Sequence, residues 1–260
     1  MNLVIGITTK NEDWILDKSL PILSSICDKI VVLDDNSTDK TEEICRSFDK
    51  VHWNTREKRE HVWQREEAKG LSELFTISGS YSPEYIMLLD ADEIPTPSFI
   101  NFFDNIDGSI NAWSVRMINV FQEGRHYRFD SFTTPNGTNV NHDPFCDKGW
   151  RKNLLLKYNS DYNYMYDFTK QKGSTSLNHP APKNIPAPIM NTEDFYVVHY
   201  GRINPQYVSG GKDRFYATIE TYDGKGDFEE RLIHHGSCRT GSGPSGPQYV
   251  ECPSSWFWTQ

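Results

Sequence analysis

Residues 85–93 read YIMLLDADE, an uninterrupted apolar run that ends at two carboxylates separated by one residue. The length of the run predicts a buried strand of a parallel sheet. Ligands of such sheets bind beyond the carboxyl ends of the strands, and side chains at i and i+2 of a strand point the same way. We therefore expect Asp90 and Asp92 to face one site, where their oxygens suit Mg2+ or Mn2+ carrying a phosphorylated ligand. An acidic turn that only ends the strand is the alternative for so short a pattern.

The segments before this run alternate between strand and helix patterns. Short apolar runs predict strands at residues 3–7, 30–33 and 51–53. Helical spacing of apolar residues predicts helices at residues 14–26, 39–48 and 59–77. This alternation predicts an α/β fold, in which helices flank a mostly parallel central sheet with right-handed crossovers.

After Pro95 the alternation ends and the chain becomes rich in loops. Apolar runs predict strands at residues 113–121 and 195–200, and a helix is expected within residues 210–222. Residues 130–150 and 173–192 contain many turn-forming residues, so they predict two long loops. Loops of this length inside a domain are often functional.

Composition restricts the classes of function. The chain has 260 residues, of which 24% are charged, and a net charge of −9. A nucleic-acid partner is disfavoured because phosphate neutralisation requires Lys and Arg, whereas a nucleotide bound through a metal ion is compatible. No run approaches the ~20 apolar residues of a membrane span. No signal peptide is recognisable, and the five cysteines lack metal-ligand spacing. We expect the protein to be cytoplasmic, either free or peripheral to a membrane. If the protein is viral, this location is the cytoplasm of the host.

Three further polar clusters follow predicted strands, as the carboxylates of residues 90–92 do. They are residues 8–12 (TTKNE), residues 34–39 (DDNSTD) and His199. Together, the four pieces resemble glycosyltransferase family 2, and in particular its lipopolysaccharide-core β-glucosyltransferase subgroup. The resemblance implies the GT-A fold, which is Rossmann-like, with a loop-rich C-terminal acceptor region.

The resemblance also implies a role for individual side chains. It implies that the nucleotide contacts Thr8, Thr9, Asn11, Asp35, Arg65 and Asp90. Asp35 would accept the N–H of the base, and Asp92 and His199 would hold the metal. Trp150 would contact the sugar or acceptor, with a place in the core as the alternative. Arg65 matches the family pattern, but the residue after it does not, because Glu66 stands where relatives often have Asn.

The catalytic base is the gap in the pattern. Inverting sugar transfer needs a carboxylate or His that takes the proton of the acceptor hydroxyl. Relatives carry a Val-His-Glu stretch after a Gly-Trp segment, but here Pro180 follows His179 in place of the Glu. By position, Asp143, Asp147 and His179 are the candidates.

The resemblance predicts a metal-dependent glycosyltransferase of the hexosyltransferase type, acting in polysaccharide or glycan biosynthesis. It would use Mn2+ or Mg2+ and take the sugar from a nucleotide-diphosphate sugar, with a UDP-sugar as the default donor. The sugar would be transferred with inversion to a glycan, lipid-linked or protein acceptor. We expect one domain over residues 1–235, with a nucleotide-binding half (1–95) and an acceptor half (96–235). A Gly/Ser/Pro-rich tail (236–260) would pack on or near it.

Two alternatives stay open at this point. A non-catalytic carbohydrate- or nucleotide-binding relative is one, because the carboxylate of the Val-His-Glu stretch is missing. A sugar-phosphate nucleotidyltransferase is the other, although that class normally opens with a glycine-rich basic loop, and residues 8–12 do not form one.

Overall fold

The structure is a computed structural model of the chain. It describes residues 2–58, 67–133, 137, 139–146, 150–162, 182, 184–211, 213–214, 217, 227–240 and 247–259. The strands are β1 (Leu3–Thr9), β2 (Lys29–Asp34), β3 (Val51–Thr55), β4 (Tyr85–Asp90), β5 (Glu93–Pro95), β6 (Ala112–Phe121), β7 (His126–Arg128), β8 (Ser131–Thr133), β9 (Asn139–Asn141), β10 (Arg151–Lys157), β11 (Ile189–His199) and β12 (Tyr249–Glu251). The helices are α1 (Asp13–Ile26), α2 (Thr41–Arg46), α3 (Glu67–Gly79), α4 (Phe99–Asp104), α5 (Pro205–Val208) and α6 (Phe228–Thr240), with 3-10 turns at Tyr200–Ile203 and Ser254–Trp256.

Among the described residues, one large sheet has the order β12-β7-β6-β10-β4-β1-β2-β3, and β11 pairs with both β5 and β6. The strands β4, β1, β2 and β3 are mutually parallel, whereas β10 runs antiparallel between β4 and β6. Helices flank this sheet, so the predicted α/β class is confirmed. The carboxyl ends of β1, β2, β4, β6 and β11 therefore lie at one edge, which we call the rim.

Apolar side chains cover both faces of the sheet because alternate residues of each strand point to opposite sides. One cluster contains Ile5, Val32 and Met87 and packs with α1 and α4. The other contains Val4, Val31 and Ile86 and packs with α3. Burial of each such side chain contributes roughly 1.5–3 kcal/mol, which fixes the strand ends that form the rim.

The second half of the chain is more regular than its composition predicts. The segment 130–150, expected to be a loop, contains β8 and β9, which pair antiparallel. The segment 173–192 was also expected to be a loop, but its last four residues begin the eleven-residue strand β11. Pairing with β6 from Ile189 onward supplies the order that the sequence pattern hides. Most of residues 210–222, the expected helix, lie outside the described residues.

The C-terminal segment contributes to the same sheet. Strand β12 pairs with β7, and Cys252 is buried behind it. The indole Nε1 of Trp258 donates to the carbonyl of Pro95 at 2.8 Å. Helix α6 crosses the expected boundary at residue 235, and the domain division stays a prediction. Within the described ranges, no helix has the length and apolarity that a membrane span requires.

Candidate functional site

Strand register brings Thr8 beside Asp90 at the rim. The two residues are partners in the parallel pairing of β1 with β4. The Thr8 hydroxyl donates to Asp90 Oδ1 at 2.7 Å, and the Asp90 side chain remains 34% exposed. One carboxylate is thus held by the neighbouring strand while part of it faces solvent.

Asp92 is oriented by a turn, not by strand alternation as the sequence suggested. Strand β4 ends at Asp90, and Asp92 lies in the turn that leads to β5. The main-chain N–H of Tyr200 donates to the Asp92 carbonyl at 2.9 Å. As a result, the carboxylate oxygen Oδ2 of Asp92 lies 3.5 Å from His199 Nε2, and both side chains are largely buried.

The His199 ring is held by a second partner on β6. Its Nδ1 atom lies 2.6 Å from Asn119 Oδ1, so Nδ1 carries the proton that is donated there. In the neutral ring, Nε2 then presents a lone pair toward the Asp92 carboxylate. Two acceptors at this distance are satisfied by a proton on Nε2 or by a cation between or beside them.

Gly201 lies directly beside the Asp92 and His199 side chains. A Cβ atom at this position would lie 2.6 Å from His199 Nε2 and 2.8 Å from Asp92 Oδ2. Any larger residue would therefore fill the space beside these two atoms. The glycine thus keeps room for a group that contacts Asp92 and His199 together.

The donor set of this pair fits a divalent cation that also binds a phosphorylated ligand. In the described part of the chain, no group of three or more His, Cys, Asp or Glu side chains could hold a metal alone. Cations such as Mg2+ commonly take one or two carboxylates and complete their shell with substrate phosphates and water. A carboxylate oxygen suits Mg2+ or Mn2+, and the softer imidazole nitrogen favours a transition metal.

Lys152 of β10 is a buried cation beneath the carboxylates, and sequence reasoning missed it. Its ammonium group forms a close ion pair with Glu93 Oε1 and lies 3.4 Å from Asp90 Oδ2. Burial alone would lower the pKa of Lys152, but the attraction of Glu93 and Asp90 outweighs burial and raises it. Glu93 Oε2 in turn accepts the N–H of Asp90 at 3.0 Å. Lys152 and Glu93 thereby fix the end of β4.

The loop after β2 supplies the second acidic group of the rim. Asp34 is buried and accepts the N–H of Ser37 at 2.8 Å, and burial raises the pKa of Asp34. Asp35 is partly exposed instead, with Oδ2 lying 3.3 Å from Lys10 Nζ and Oδ1 3.9 Å from Arg56 Nε. Asp34 therefore shapes the loop, whereas Asp35 is the residue that a ligand can reach.

Two residues at the end of β1 complete this side of the rim. Asn11 adopts a positive φ of 54°, and its Oδ1 accepts the N–H of Thr38 at 2.8 Å, which joins the two loops. Thr9 is 5% exposed, and its hydroxyl has no hydrogen-bond partner among the described residues. A buried hydroxyl without a partner is costly, so the Thr9 side chain is suited to a ligand that supplies one.

The family model described as glycosyl transferase family 2 matches residues 4–173, a range that runs from β1 to β10 and ends before β11 and His199. The chain belongs to glycosyl transferase family 2. A search of curated proteins finds no significant match.

The chain is similar to solved structures at low sequence identity. The crystal structure of S. aureus TarS superposes with a TM-score of 0.50 at 12% identity, over 92% of this chain. The family 2 chain described here spans 43% of TarS. Glucosyl-3-phosphoglycerate synthase from Mycobacterium tuberculosis, in complex with Mn2+, UDP and phosphoglyceric acid, has a TM-score of 0.41 at 14% identity, over 86% of this chain and 78% of that one.

The remaining expected site residues of this family 2 member are placed only in part. The Trp150 ring lies 5.8 Å from the His199 ring and 5.0 Å from Lys152 Nζ, so it borders the rim. It also packs against the core, as the alternative for this residue expects, and its contact with a sugar or acceptor stays a prediction. Asp143 Oδ1 accepts the N–H of Phe145 in a turn after β9. Three expected residues lie outside the described residues, namely Arg65, Asp147 and His179.

Proposed function

We propose that this protein is a metal-dependent glycosyltransferase that uses a nucleotide-diphosphate sugar, with UDP-sugar as the default donor. The observation that carries the proposal is the Asp92–His199 pair at the rim, with the space that Gly201 leaves beside it. Membership of glycosyl transferase family 2 supports the class of reaction. The similarity to the lipopolysaccharide-core β-glucosyltransferase subgroup and the cytoplasmic location belong to the proposal as well.

The two sides of the rim would divide the donor between them. Asp35 would accept the N–H of the base, next to the buried hydroxyl of Thr9, while Asn11 joins the loops that follow β1 and β2. Asp90, held by Thr8, would contact the ribose. Asp92 and His199 would hold Mn2+ or Mg2+ and, with it, the diphosphate.

The reaction would be a displacement at the anomeric carbon. The acceptor oxygen forms a bond to this carbon as the bond to the diphosphate oxygen breaks, which inverts the configuration. A divalent cation, when bound, offsets the charge of the leaving diphosphate. The proton of the acceptor hydroxyl passes to a base, for which Asp147 and His179 remain the proposed residues. Trp150 would contact the sugar, and the acceptor would be a glycan, a lipid-linked sugar or a protein.

Calorimetric titration of UDP in the presence and absence of Mn2+ tests the donor site. Wild type and the surface control Asp49→Asn should bind UDP more tightly with Mn2+, and Asp92→Asn should lose that gain while it stays folded. Equal Mn2+ dependence in Asp92→Asn would contradict the assignment.

Turnover separates the candidate functions once donor binding is established. A transferase should hydrolyse a UDP-sugar slowly in the presence of Mn2+ without an acceptor. A binding protein would give no hydrolysis, and a nucleotidyltransferase would release pyrophosphate from a nucleoside triphosphate and a sugar phosphate.

A further inference from the structure

Two arginines of adjacent strands share a single carboxylate. Arg116 of β6 and Arg151 of β10 are partners in the antiparallel pairing of these strands. Arg116 Nη2 lies 3.1 Å from Glu193 Oε1 and Arg116 Nε lies 3.3 Å from Glu193 Oε2, while Arg151 Nη2 forms a close ion pair with Oε1. The Arg116 and Arg151 side chains are 11% and 20% exposed, but that of Glu193 is 50% exposed.

The charges of this cluster do not cancel. Two guanidinium groups face one carboxylate, so the three side chains carry a net positive charge. Burial and the proximity of Arg116 lower the pKa of Arg151. A bidentate oxyanion is the group that the fork of an arginine binds best. Glu193 meets this demand from within the chain.

The arginine pair lies close to the rim. Strand β10 runs antiparallel to β4, so Arg151, its first residue, lies toward the edge where β4 ends. Strand alternation directs Arg151 away from Lys152 and therefore to the opposite face of the sheet from the Asp92–His199 pair. A molecule that contacts both places must be extended enough to pass over the rim.

Aromatic side chains lie next to the arginines on this face. The Arg116 guanidinium lies 5.8 Å from the centre of the Phe145 ring, which belongs to a residue that is 41% exposed. Phe145 contacts the rings of Tyr127, Tyr196 and Trp256. Four separate segments of the chain thus form one aromatic surface beside the arginine pair. An exposed ring next to anion-binding groups matches a ligand that has both apolar C–H faces and negative charge.

We propose that Arg116 and Arg151 form an acceptor subsite for an acidic glycan, in which a phosphate or carboxylate group replaces Glu193 and a sugar ring lies against Phe145. Glu193 is then an internal substitute that keeps the arginines paired when no acceptor is present. It is suited to release because it is half exposed and lies at a register irregularity of β11, between Thr192 and Val197. The acceptor role rests on the proposed glycosyltransferase function.

Removal of the internal carboxylate provides the test. Titration calorimetry measures the affinity of the full chain for inorganic phosphate, for a short uronic-acid oligosaccharide and for a neutral oligosaccharide of equal length. Glu193→Gln should bind the acidic probes about tenfold more tightly than wild type, since one competing charge-assisted interaction is removed. Glu43→Gln, an exposed change of the same charge on α2, should behave as wild type. In the Glu193→Gln background, Arg151→Gln should remove the gain.

The outcomes are separable from those of the donor experiment. A folded Glu193→Gln protein that binds phosphate and the uronic-acid probe no more tightly than Glu43→Gln would overturn the subsite. The subsite would also be overturned if Glu193→Gln bound the neutral oligosaccharide as tightly as it binds the uronic-acid oligosaccharide. The two acidic probes distinguish a phosphate from a carboxylate as the preferred anion. The Mn2+-dependent affinity for UDP, measured on the same variants, should be unchanged. If wild type showed no Mn2+-dependent UDP binding, the proposed function would be contradicted. The comparison of phosphate affinities would still decide the role of the arginine pair.

Discussion

The Nδ1 atom of His199 lies 2.6 Å from Asn119 Oδ1, across the parallel pairing of β11 with β6. This contact decides which nitrogen of the ring faces Asp92. A ligating histidine usually donates its other ring N–H to a fixed acceptor, and loss of that acceptor weakens metal binding. We therefore expect Asn119 to position His199 at the proposed metal site, although no feature of the sequence around Asn119 indicates this role.

Replacement of Asn119 should affect the metal more than the fold. We expect Asn119→Leu to lower Mn2+ affinity about 10–100-fold, as other changes of this kind do, and Asn119→Asp to retain most of it because the acceptor oxygen remains. Titration of Mn2+ in the presence of UDP measures both affinities. Equal Mn2+ affinity in Asn119→Leu and Asn119→Asp would rule out the orienting role.

Addition of a methyl group at Gly201 should block the site. The new Cβ would lie under 3 Å from both Asp92 Oδ2 and His199 Nε2, so Gly201→Ala should lose Mn2+-dependent UDP binding. Gly236→Ala is the matched control, since a Cβ there meets no atom within 4 Å. In this helical position it should be neutral or stabilise by about 0.5–1 kcal/mol. Unaltered UDP binding in Gly201→Ala would show that the space beside the pair is not used.

Loss of the Lys152 charge should destabilise the fold because it leaves the buried Glu93 carboxylate without a cation. Removal of one partner of a buried ion pair typically costs about 3–5 kcal/mol, so urea denaturation of Lys152→Met should show a loss of that order. The double change Lys152→Met with Glu93→Gln should recover most of it, since the buried charge is then absent. A double variant as unstable as Lys152→Met would assign the loss to packing instead.

The Thr9 hydroxyl should matter for the ligand and should not contribute to stability. Because it is buried and has no partner among the described residues, Thr9→Val should raise the free energy of unfolding, by about 1–3 kcal/mol. UDP affinity should fall about tenfold, as expected for one lost hydrogen bond. Ser19→Ala removes another buried hydroxyl of this kind, from α1, and should leave UDP affinity unchanged. If Thr9→Val binds UDP as wild type does, Thr9 lies outside the donor site.

Acid should destabilise the protein through His142. Burial and the nearby Arg128 guanidinium lower the pKa of His142 from 6.5 to about 4, against the opposing attraction of Asp130. The unfolded chain therefore takes up this proton first as pH falls. The stability from neutral His142 is complete above pH ~6.5 and is lost between there and pH ~4.

Urea denaturation at pH 4.5 and pH 7.5 isolates this contribution. We expect the free energy of unfolding of wild type to fall between these values by about 2–3 kcal/mol more than that of His142→Gln. Parallel losses in the two proteins would show that other groups cause the acid sensitivity.

The strand ends of the first half could be predicted from the sequence because each is encoded locally. The apolar runs at residues 3–7, 30–33 and 85–89 indicate buried parallel strands followed by polar residues, and the structure has strands that end one or two residues beyond these runs, at Thr9, Asp34 and Asp90. Because the carboxyl ends of parallel strands lie at the same edge of a sheet, the polar residues that follow these strands are expected to lie together. The pairing of Asp92 with His199 came from family resemblance, since a lone histidine after a strand carries no local signal.

The sequence by itself determined the α/β class and the acidic rim, because hydrophobic periodicity and strand-end carboxylates are properties of short segments. Only the tertiary structure decided which distant groups neutralise that rim and line its surroundings. Lys152 under Glu93, Asn119 behind His199, and the Arg116–Arg151 pair on Glu193 all join residues from different strands. Strand register brings such partners together, and burial favours pairs whose charges compensate each other. Neither strand register nor burial can be read from the spacing of residues along the chain.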